Sequence, residues 1–272
     1  MNVLIFSKDR ACQLYALLES IEMFDTDNVI KPDVLYTSST QDFGRGYCSV
    51  RERFSPKVRF HEQTTFKFDV MAWLNRVQGY SCMFLVDDQF MRHPLMVSQY
   101  EIDGLLSQNG NIGTVSLRLG KNTTHQYQTN QDVALPKFGR NGNFLTWNSY
   151  TYPSSVNWGY PLSVDGHVFR TTDLRALCRR LVFSAPNTLE EQLSLQKGYF
   201  SCIMACLEES VFVNNPLNLV QSTHNNKFNN YATAEELNNA YLSGMRIDIS
   251  TMIAETEIVV LRLPLEGGKA SI

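Results

Sequence analysis

The chain has 272 residues, of which 24 are Lys or Arg and 27 are Asp or Glu, so its net charge is −3. Hydrophobic residues make up 43% of the sequence, which excludes a disordered, collagen-like or coiled-coil chain. The nearly balanced charge argues against nucleic acid as a partner, because binding a phosphate backbone requires a basic surface.

The N-terminal segment lacks the features of a secretion signal. Its first apolar run, 3–6, is followed at once by Lys8, Asp9 and Arg10, whereas a signal peptide has an apolar region of about 7–15 residues. No stretch reaches the roughly 20 apolar residues of a membrane helix. The sequence therefore predicts a soluble, cytoplasmic protein with no signal peptide and no transmembrane segment; it does not indicate the oligomeric state.

Strand and helix signals alternate along the first third of the chain. Apolar, β-branched runs predict strands at 3–7, 33–37, 58–61 and 82–86, and helical spacing predicts helices at 10–24 and 66–77. Asp9 is positioned to cap the first helix. Such alternation with short connections is typical of an α/β fold with a mostly parallel central sheet flanked by helices.

The pattern changes after residue 108. Strands are predicted within 112–119, 144–151, 165–169 and 211–213, and helices over 171–182, after Thr188 and over 233–243. Thr188 and Glu191 have the spacing of a capping box. Cys202 and Cys206 are spaced to share a helix face, although buried thiols without a metal are the simpler reading.

Two carboxylates end the buried strand at 82–86. Asp87 and Asp88 would repel each other and are costly to desolvate unless a cation neutralises them. Mg²⁺ and Mn²⁺ prefer oxygen ligands, and such a cation can neutralise a diphosphate leaving group. The alternative is that both side chains are solvated and cap the next turn.

The loop after the first strand is a second candidate for ligand binding. Ser7, Lys8, Asp9 and Arg10 lie where a strand end meets a helix start, so free backbone N–H groups and positive charge coincide. Residues 37–39, Thr37, Ser38 and Ser39, follow the next strand and should reach the same edge. An ordinary capped helix is the alternative, and neither a dinucleotide-binding fingerprint nor a P-loop is present.

Taken in order, these segments resemble the GT-A glycosyltransferases. The resemblance is strongest to a branch of this family that is found in bacteria and large DNA viruses and builds surface glycans. The resemblance covers roughly 1–245, with 246–272 as a C-terminal extension. It implies a nucleotide-sugar half at 1–108 and an acceptor half at 109–245. The segments that carry it are 3–10, 13–18, 66–69, 84–88, 165–170, 186–190 and 215–221.

The resemblance implies a nucleoside-diphosphate sugar donor, a glycan acceptor and Mn²⁺ or Mg²⁺ as cofactor. Asp87 would lie by the ribose or sugar and Asp88 by the metal, while Gln89 stands where a further Asp is common. The donor-binding residues expected are Ser7, Lys8, Asp9, Arg10, Thr37, Ser38, Ser39, Lys67 and Asp87. His224 is a candidate metal ligand, although a lone histidine in an Asn-rich loop also fits polar surface.

Three carboxylates are candidates for the general base that an inverting transfer requires. Glu190 is the first choice, Asp165 the second, and Glu191 is also expected to complete the capping box. The function predicted is sugar transfer to a hydroxyl of a glycan, metal-assisted and inverting. A nucleotidyltransferase acting on sugar phosphates and a non-catalytic nucleotide- or glycan-binding module of the same fold are the alternatives.

Overall fold

The computed structural model describes residues 1–108, 111–126, 131–214 and 232–249. Its strands are β1 Asn2–Lys8, β2 Lys31–Thr37, β3 Arg59–Glu62, β4 Ser81–Val86, β5 Gln89–Met91, β6 Thr114–Ser116, β7 His125–Gln126, β8 Gln131–Asp132, β9 Gly139–Asn141, β10 Phe144–Asn148, β11 His167–Arg170, β12 Ile203–Cys206 and β13 Phe212–Asn214. Its α-helices are α1 Ala11–Phe24, α2 Gln41–Phe54, α3 Phe66–Arg76, α4 Gln99–Ser107, α5 Thr171–Arg180, α6 Pro186–Ser194 and α7 Ala234–Leu242.

A nine-stranded mixed sheet organises the described residues, in the order β3-β2-β1-β4-β11-β6-β12-β10-β9. The first four strands are parallel, β11 enters antiparallel between β4 and β6, and β10 is antiparallel to both its neighbours. Within this sheet, all strands except β10 and β11 therefore run in the same direction. The predicted α/β architecture, a mostly parallel central sheet flanked by helices, is confirmed.

Helices cover both faces of this sheet, and the alternation of side chains along β1 shows how. Val3 and Ile5 point into a core shared with α1, α2, α4 and α7. Leu4 and Phe6 point into the opposite core, shared with α3, α5 and α6. A strand that is buried on both faces must be apolar throughout, which accounts for the continuous hydrophobic run.

The loops that follow β1 and β4 lie side by side because these strands are parallel neighbours, with Phe6 opposite Val86. From β1 the chain continues to β2, which lies on the side of β1 opposite to β4. The two loops therefore begin next to each other and then separate. Open α/β sheets bind ligands in such a crevice beyond the carboxyl ends of the strands. The antiparallel β11 begins at the same edge, where Gly166 N donates to Phe84 O at 3.0 Å.

Several local predictions were wrong. Asp9 does not cap α1, whose N-cap is Arg10; Asp9 has a positive φ of 56° and its carboxylate binds elsewhere. Thr188 is not the N-cap of α6, because Pro186, which suits the first helical position, starts the helix earlier. Cys202 and Cys206 do not share a helix face, since Cys206 lies in β12 and Cys202 precedes that strand.

Two helices were not predicted from the sequence. In α2, Gly44, Gly46 and many polar residues conceal the helical periodicity. In α4, a capping box between Ser98 and Glu101 was the overlooked signal. Three short strands that the sequence did not predict, β7, β8 and β9, also lie between α4 and β10. Among the described residues, no helix is long and apolar enough to span a bilayer.

The segment after α7 packs back onto α1. The Arg246 guanidinium lies 4.6 Å from the Tyr15 ring centroid and 4.3 Å from that of Tyr241. Ile247 and Ile249 are buried in the same core as α1. This packing brings the segment to the strand-end edge, where Ile247 lines the pocket described next.

Candidate active site

Arg10 joins the two strand-end carboxylates. Its Nη1 lies 3.1 Å from Asp87 Oδ1 and 3.1 Å from Asp88 Oδ2, and all three side chains are largely buried. The Lys8 N–H also donates to Asp87 Oδ2, at 3.2 Å. The predicted loop after β1 and the predicted carboxylate pair after β4 are therefore one constellation.

Burial dominates the electrostatics of Asp87. Desolvation raises its pKa to about 6 despite the nearby Arg10, and the charge of Asp88 adds to the rise. The same two carboxylates raise the pKa of Arg10, although its burial acts in the opposite direction. Arg10 thus remains a fixed positive charge between two acidic groups.

The loop after β2 is attached to the loop after β1. Ser39 N donates to Asp9 Oδ1 at 2.7 Å, and Asp9 N donates to Thr37 O at 3.2 Å. This explains why Asp9 adopts its left-handed backbone: its carboxylate binds the neighbouring loop instead of capping α1. The segments predicted to line a nucleoside pocket, 7–10 and 37–39, are in direct contact.

Tyr47, on α2, contacts the loop that follows β1. Its hydroxyl lies 2.7 Å from Ser7 Oγ and accepts from Arg10 N at 3.2 Å. Burial raises the pKa of the Tyr47 hydroxyl. The sequence did not single out Tyr47, because its helix was not recognised.

A small pocket adjoins the carboxylate pair. About 190 Å³ of empty space, part of it open to solvent, is lined by Gln13, Ala16, Asp87, Asp88, Gln89, Phe90 and Ile247. The part of this space that admits a water-sized sphere is about 10 Å³, enough for about one water molecule. This pocket can therefore enclose only part of a ligand as large as a nucleotide sugar.

Asp165 lies next to the start of β11, at the same edge of the sheet, and is near enough to Asp88 for the two charges to interact. Burial raises its pKa to about 7, with a further rise from Glu190, and Asp88 also contributes while Arg118 opposes. Asn214 Nδ2, at the end of β13, donates to Asp165 Oδ2 at 3.2 Å. A carboxyl group that is half ionised near neutral pH is suited to accepting a proton.

Glu190 holds the segment that precedes Asp165. Its Oε1 accepts from Ser163 Oγ at 2.6 Å and from Val164 N at 3.1 Å. Glu191, the next residue of α6, is exposed. The structure thus brings Asp165 and Glu190 together and leaves Glu191 facing solvent.

The remaining predicted residues have other surroundings. Lys67 Nζ donates to Leu181 O at 2.5 Å, at the end of α5, and lies over the Phe183 ring. Ser38 is half-buried in the loop between β2 and α2. His224, together with the segment 215–221, lies outside the described residues.

Arg118 and Asn214 join this edge without having been predicted, whereas Gln89 directly follows the predicted carboxylate pair. Arg118 follows β6 and donates to Asn157 Oδ1 at 3.2 Å. Asn214 pairs with Gln89 in the β13–β5 ladder. The order of the strands places Arg118 and Asn214 at this edge, and no local sequence motif marks these two residues.

One carboxylate oxygen fits a divalent cation. Asp88 Oδ1 is buried and has no hydrogen-bonding partner among the described residues. Within the same part of the chain, no three His, Cys, Asp or Glu side chains form a metal cage. Mg²⁺ commonly binds through one or two carboxylates plus substrate phosphates, so Asp88 is a suitable protein ligand for a cation that also holds a diphosphate.

Comparison with protein-family models gives no match. The chain is 25% identical over 247 residues to the bifunctional glycosyltransferase pgtA of Dictyostelium discoideum. The match covers 82% of this chain and 31% of the relative, so the chain spans about a third of the curated protein it matches.

Solved structures with a similar backbone include glycosyltransferases. The S. aureus TarS structure has a TM-score of 0.49 at 13% identity, covering 79% of this chain and 37% of TarS. The galactosyltransferase LgtC with donor and acceptor sugar analogues has a TM-score of 0.38 at 11% identity, covering 71% of this chain and 70% of LgtC. Similarities at this level do not specify the activity of this chain.

Proposed function

We propose that this chain is a glycosyltransferase that moves a sugar from a nucleoside-diphosphate sugar to a hydroxyl group of a glycan acceptor. One observation carries the proposal: Arg10 joins the buried carboxylates Asp87 and Asp88 where two neighbouring parallel strands end, and Asp165 lies near enough to Asp88 for their charges to interact. Similarity to the Dictyostelium glycosyltransferase over 82% of the chain supports it.

The donor would bind where the loops after β1 and β2 meet. The Ser7–Arg10 and Thr37–Ser39 segments would contact the nucleoside, and Asp87, bound by Arg10, would lie by the ribose or sugar. Lys8 and Arg10 supply positive charge beside the expected diphosphate. Ligand placement at this edge agrees with the general rule for open α/β sheets.

Asp88 would hold Mn²⁺ or Mg²⁺ through its free Oδ1. The bound cation would supply positive charge to the diphosphate as it leaves. Arg10 already neutralises part of the negative charge of Asp87 and Asp88, so the protein holds this edge in place before ligands bind.

Asp165 would accept the proton of the acceptor hydroxyl in an inverting transfer. Glu190 would act as a positioning residue, because its Oε1 binds Ser163 and Val164 just before Asp165. This assignment differs from the order of preference drawn from the sequence, in which Glu190 came first. Its basis is that Glu190 Oε1 already accepts from Ser163 and Val164, whereas Asp165 lies near Asp88.

Nucleotide-sugar turnover tests the reaction. The purified chain is incubated with a panel of UDP-, GDP- and CDP-sugars and glycan acceptors in the presence of Mn²⁺. Release of nucleoside diphosphate supports the proposal. Release of pyrophosphate from a sugar phosphate and nucleoside triphosphate would instead identify a nucleotidyltransferase, and binding without turnover would identify a binding module.

Three variants separate the candidate bases. Asp165→Asn should slow transfer by about 10²–10⁴-fold, the range for loss of a general base, while nucleotide binding persists. Glu190→Gln should have a smaller effect, and Glu191→Gln should retain near-normal turnover. If Glu190→Gln has the largest effect and Asp165→Asn remains active, Glu190 is the base.

A further inference from the structure

Helices α3 and α5 pack side by side and run in opposite directions. Near the start of α3, Lys67 Nζ donates to Leu181 O, which directly follows α5. Near the end of α3, Leu74 O accepts from Arg175 Nε, in the middle of α5, at 2.9 Å. The start of α3, which carries Phe68, therefore lies beside the end of α5.

The outer surface of this helix pair combines apolar and cationic side chains. Phe68 is 68% exposed and Val182 is 80% exposed, and Val182 points outwards because Leu181 and Phe183 on either side of it are buried. We use the name α3–α5 face for the exposed residues Phe68, Ala72, Ala176, Arg179, Arg180 and Val182.

The positive charge of this face is not offset locally. Arg179 and Arg180 form no ion pair within the part of the chain that the structure describes, and no exposed residue of α3 or α5 is acidic. Asp69 is half-buried and accepts from Thr64 N at 2.7 Å, and Asp173 is paired with Arg170 at 2.5 Å. A cationic face on a chain of net charge −3 is a local departure from its overall charge.

This combination of side chains is complementary to an anionic lipid surface. Arginine side chains are attracted to lipid phosphates, and apolar side chains can enter the boundary between headgroups and acyl chains. A nucleic acid or an acidic polysaccharide would use the arginines but would gain nothing from Val182. A second copy of the chain would bring the arginines of both molecules into one interface, without exposed carboxylates on these helices to pair with them.

We propose that the α3–α5 face binds the surface of a membrane that contains anionic lipids, with Phe68 and Val182 inserted among the headgroups and Arg179 and Arg180 at the lipid phosphates. Such binding is peripheral and requires no membrane-spanning helix. The face begins where α3 follows the carboxyl end of β3, the same edge of the parallel strands that carries Asp87. The inference goes beyond the proposed function and does not depend on it.

Sedimentation with lipid vesicles tests the inference. Binding of the whole chain is measured with vesicles of phosphatidylcholine alone and of phosphatidylcholine mixed with phosphatidylglycerol, at low and at high NaCl concentration. The wild type should bind only the mixed vesicles. It should bind them more weakly in high salt, because salt screens the attraction between exposed charges.

Two double variants separate the charges from the apolar side chains. Arg179→Glu/Arg180→Glu should lower the partition coefficient onto mixed vesicles by about 10- to 100-fold, because attraction to the anionic surface is replaced by repulsion. Phe68→Ser/Val182→Ser should lower it by about 10-fold, because less apolar area leaves water on binding. All four side chains are exposed, so the Tm of each variant should stay close to that of the wild type.

Matched controls change the same kinds of side chain on other surfaces. Arg45→Glu/Lys137→Glu reverses two exposed charges, on α2 and just before β9. Met96→Ser/Tyr100→Ser removes two apolar side chains, 75% and 85% exposed, at α4, which packs on the other face of the sheet from α3 and α5. Both controls should keep the wild-type partition coefficient within about twofold, because salt screens charges that lie far from the bound face.

The inference is wrong if the wild type does not bind mixed vesicles, or if Arg179→Glu/Arg180→Glu binds them as tightly as the wild type. Binding that needs the arginines but not Phe68 and Val182 would also overturn it, and competition by heparin would then identify an acidic polymer as the partner. These results leave the proposed function untouched, since every variant should transfer sugar to a soluble acceptor at the wild-type rate. A wild type that binds mixed vesicles but turns over no nucleotide sugar would refute the proposed function alone.

Discussion

At the scale of single residues, the decisive group is Arg10, because one guanidinium neutralises two buried carboxylates. Asp87 uses both of its oxygens, with Arg10 and the Lys8 N–H, whereas Asp88 uses only Oδ2 among the described residues. A single guanidinium nitrogen, Nη1, contacts both carboxylates and holds them close to each other through charge-assisted hydrogen bonds. The free oxygen of Asp88 is therefore presented at a fixed position.

Asp88→Asn tests whether the free oxygen of Asp88 binds a cation. The variant should bind nucleoside diphosphate without the additional stabilisation that Mn²⁺ gives to wild type, because the anionic ligand oxygen is lost. A ligand that binds only the native state at about 100 times its Kd stabilises it by about 2.7 kcal/mol, so the difference in Tm is measurable by thermal shift. Asp42→Asn, at an exposed position of α2, is the control. Equal Mn²⁺-dependent shifts in all three proteins would remove Asp88 from the metal site.

Tyr47→Phe tests the support of the β1 loop. Loss of the hydroxyl leaves Ser7 Oγ and Arg10 N without this partner and should lower the free energy of unfolding by about 1–3 kcal/mol. It should also weaken nucleoside diphosphate binding, because the loop that carries Arg10 is held less firmly. Tyr241→Phe removes a comparable hydroxyl on α7, which donates to Ser49 Oγ on α2 at 3.2 Å. That control should lose stability without losing nucleotide affinity; equal affinity losses would refute a local role for Tyr47.

At the scale of elements, α2 connects the site to the core. Its Tyr47 supports the β1 loop, and Gly46 lies where α1, α2 and α7 approach one another most closely. A Cβ on Gly46 would lie 2.3 Å from Asn238 Oδ1 and 2.8 Å from Ala11 Cβ. The glycine is therefore explained by helix packing, while the backbone itself is ordinary helix.

Two glycines of this helix should respond to alanine in opposite ways. Gly44→Ala should raise the free energy of unfolding by about 0.5–1 kcal/mol, because its Cβ would meet only Ser38 Oγ at 3.6 Å and alanine favours the helix. Gly46→Ala should lower it by about 1–3 kcal/mol through overpacking. Urea denaturation measures both, and a stabilised Gly46→Ala would show that α1 and α7 do not pack this closely.

At the scale of the whole molecule, buried titratable groups couple stability to pH. Asp165 and Asp87 have folded-state pKa values of about 7 and about 6, above the ordinary value of 3.8, so the folded state binds more protons than the unfolded state over this range. Their contributions therefore make stability fall as pH rises. His167 acts in the opposite direction, because burial lowers its pKa from 6.5 to about 3.

Asp165→Asn isolates one of these contributions. The difference in free energy of unfolding between the variant and wild type should increase in favour of the variant from about pH 4 to about pH 7 and then level off. A shift from 3.8 to about 7 corresponds to a few kcal/mol at most, at about 1.4 kcal/mol per unit. Denaturant titrations between pH 4 and pH 8 measure the difference, with exposed Asp27→Asn as control. A difference that does not change with pH would mean that the pKa of Asp165 is not raised in the folded state.

Local pattern was sufficient for much of the N-terminal half. The apolar runs at 3–7 and 82–86 match β1 and β4, and the spacing of Leu14, Leu17 and Leu18 matches α1. Strand-end position also places the Ser7–Arg10 loop and Asp87–Asp88 along one edge of the sheet, and the structure brings them into direct contact. By contrast, α2 was missed because its glycines and polar residues weaken the helical period.

The sequence by itself determined the α/β class, the buried parallel strands and the carboxylates at their ends, because periodicity and strand-end position are local properties. Only the tertiary structure decided which further carboxylate lies near these strand ends. Asp165 reaches Asp88 because β11 inserts antiparallel beside β4, and it meets Asn214, 49 positions away, because β13 pairs with β5. Strand order depends on how the whole set of helices covers both sheet faces, so no short segment of sequence contains that information.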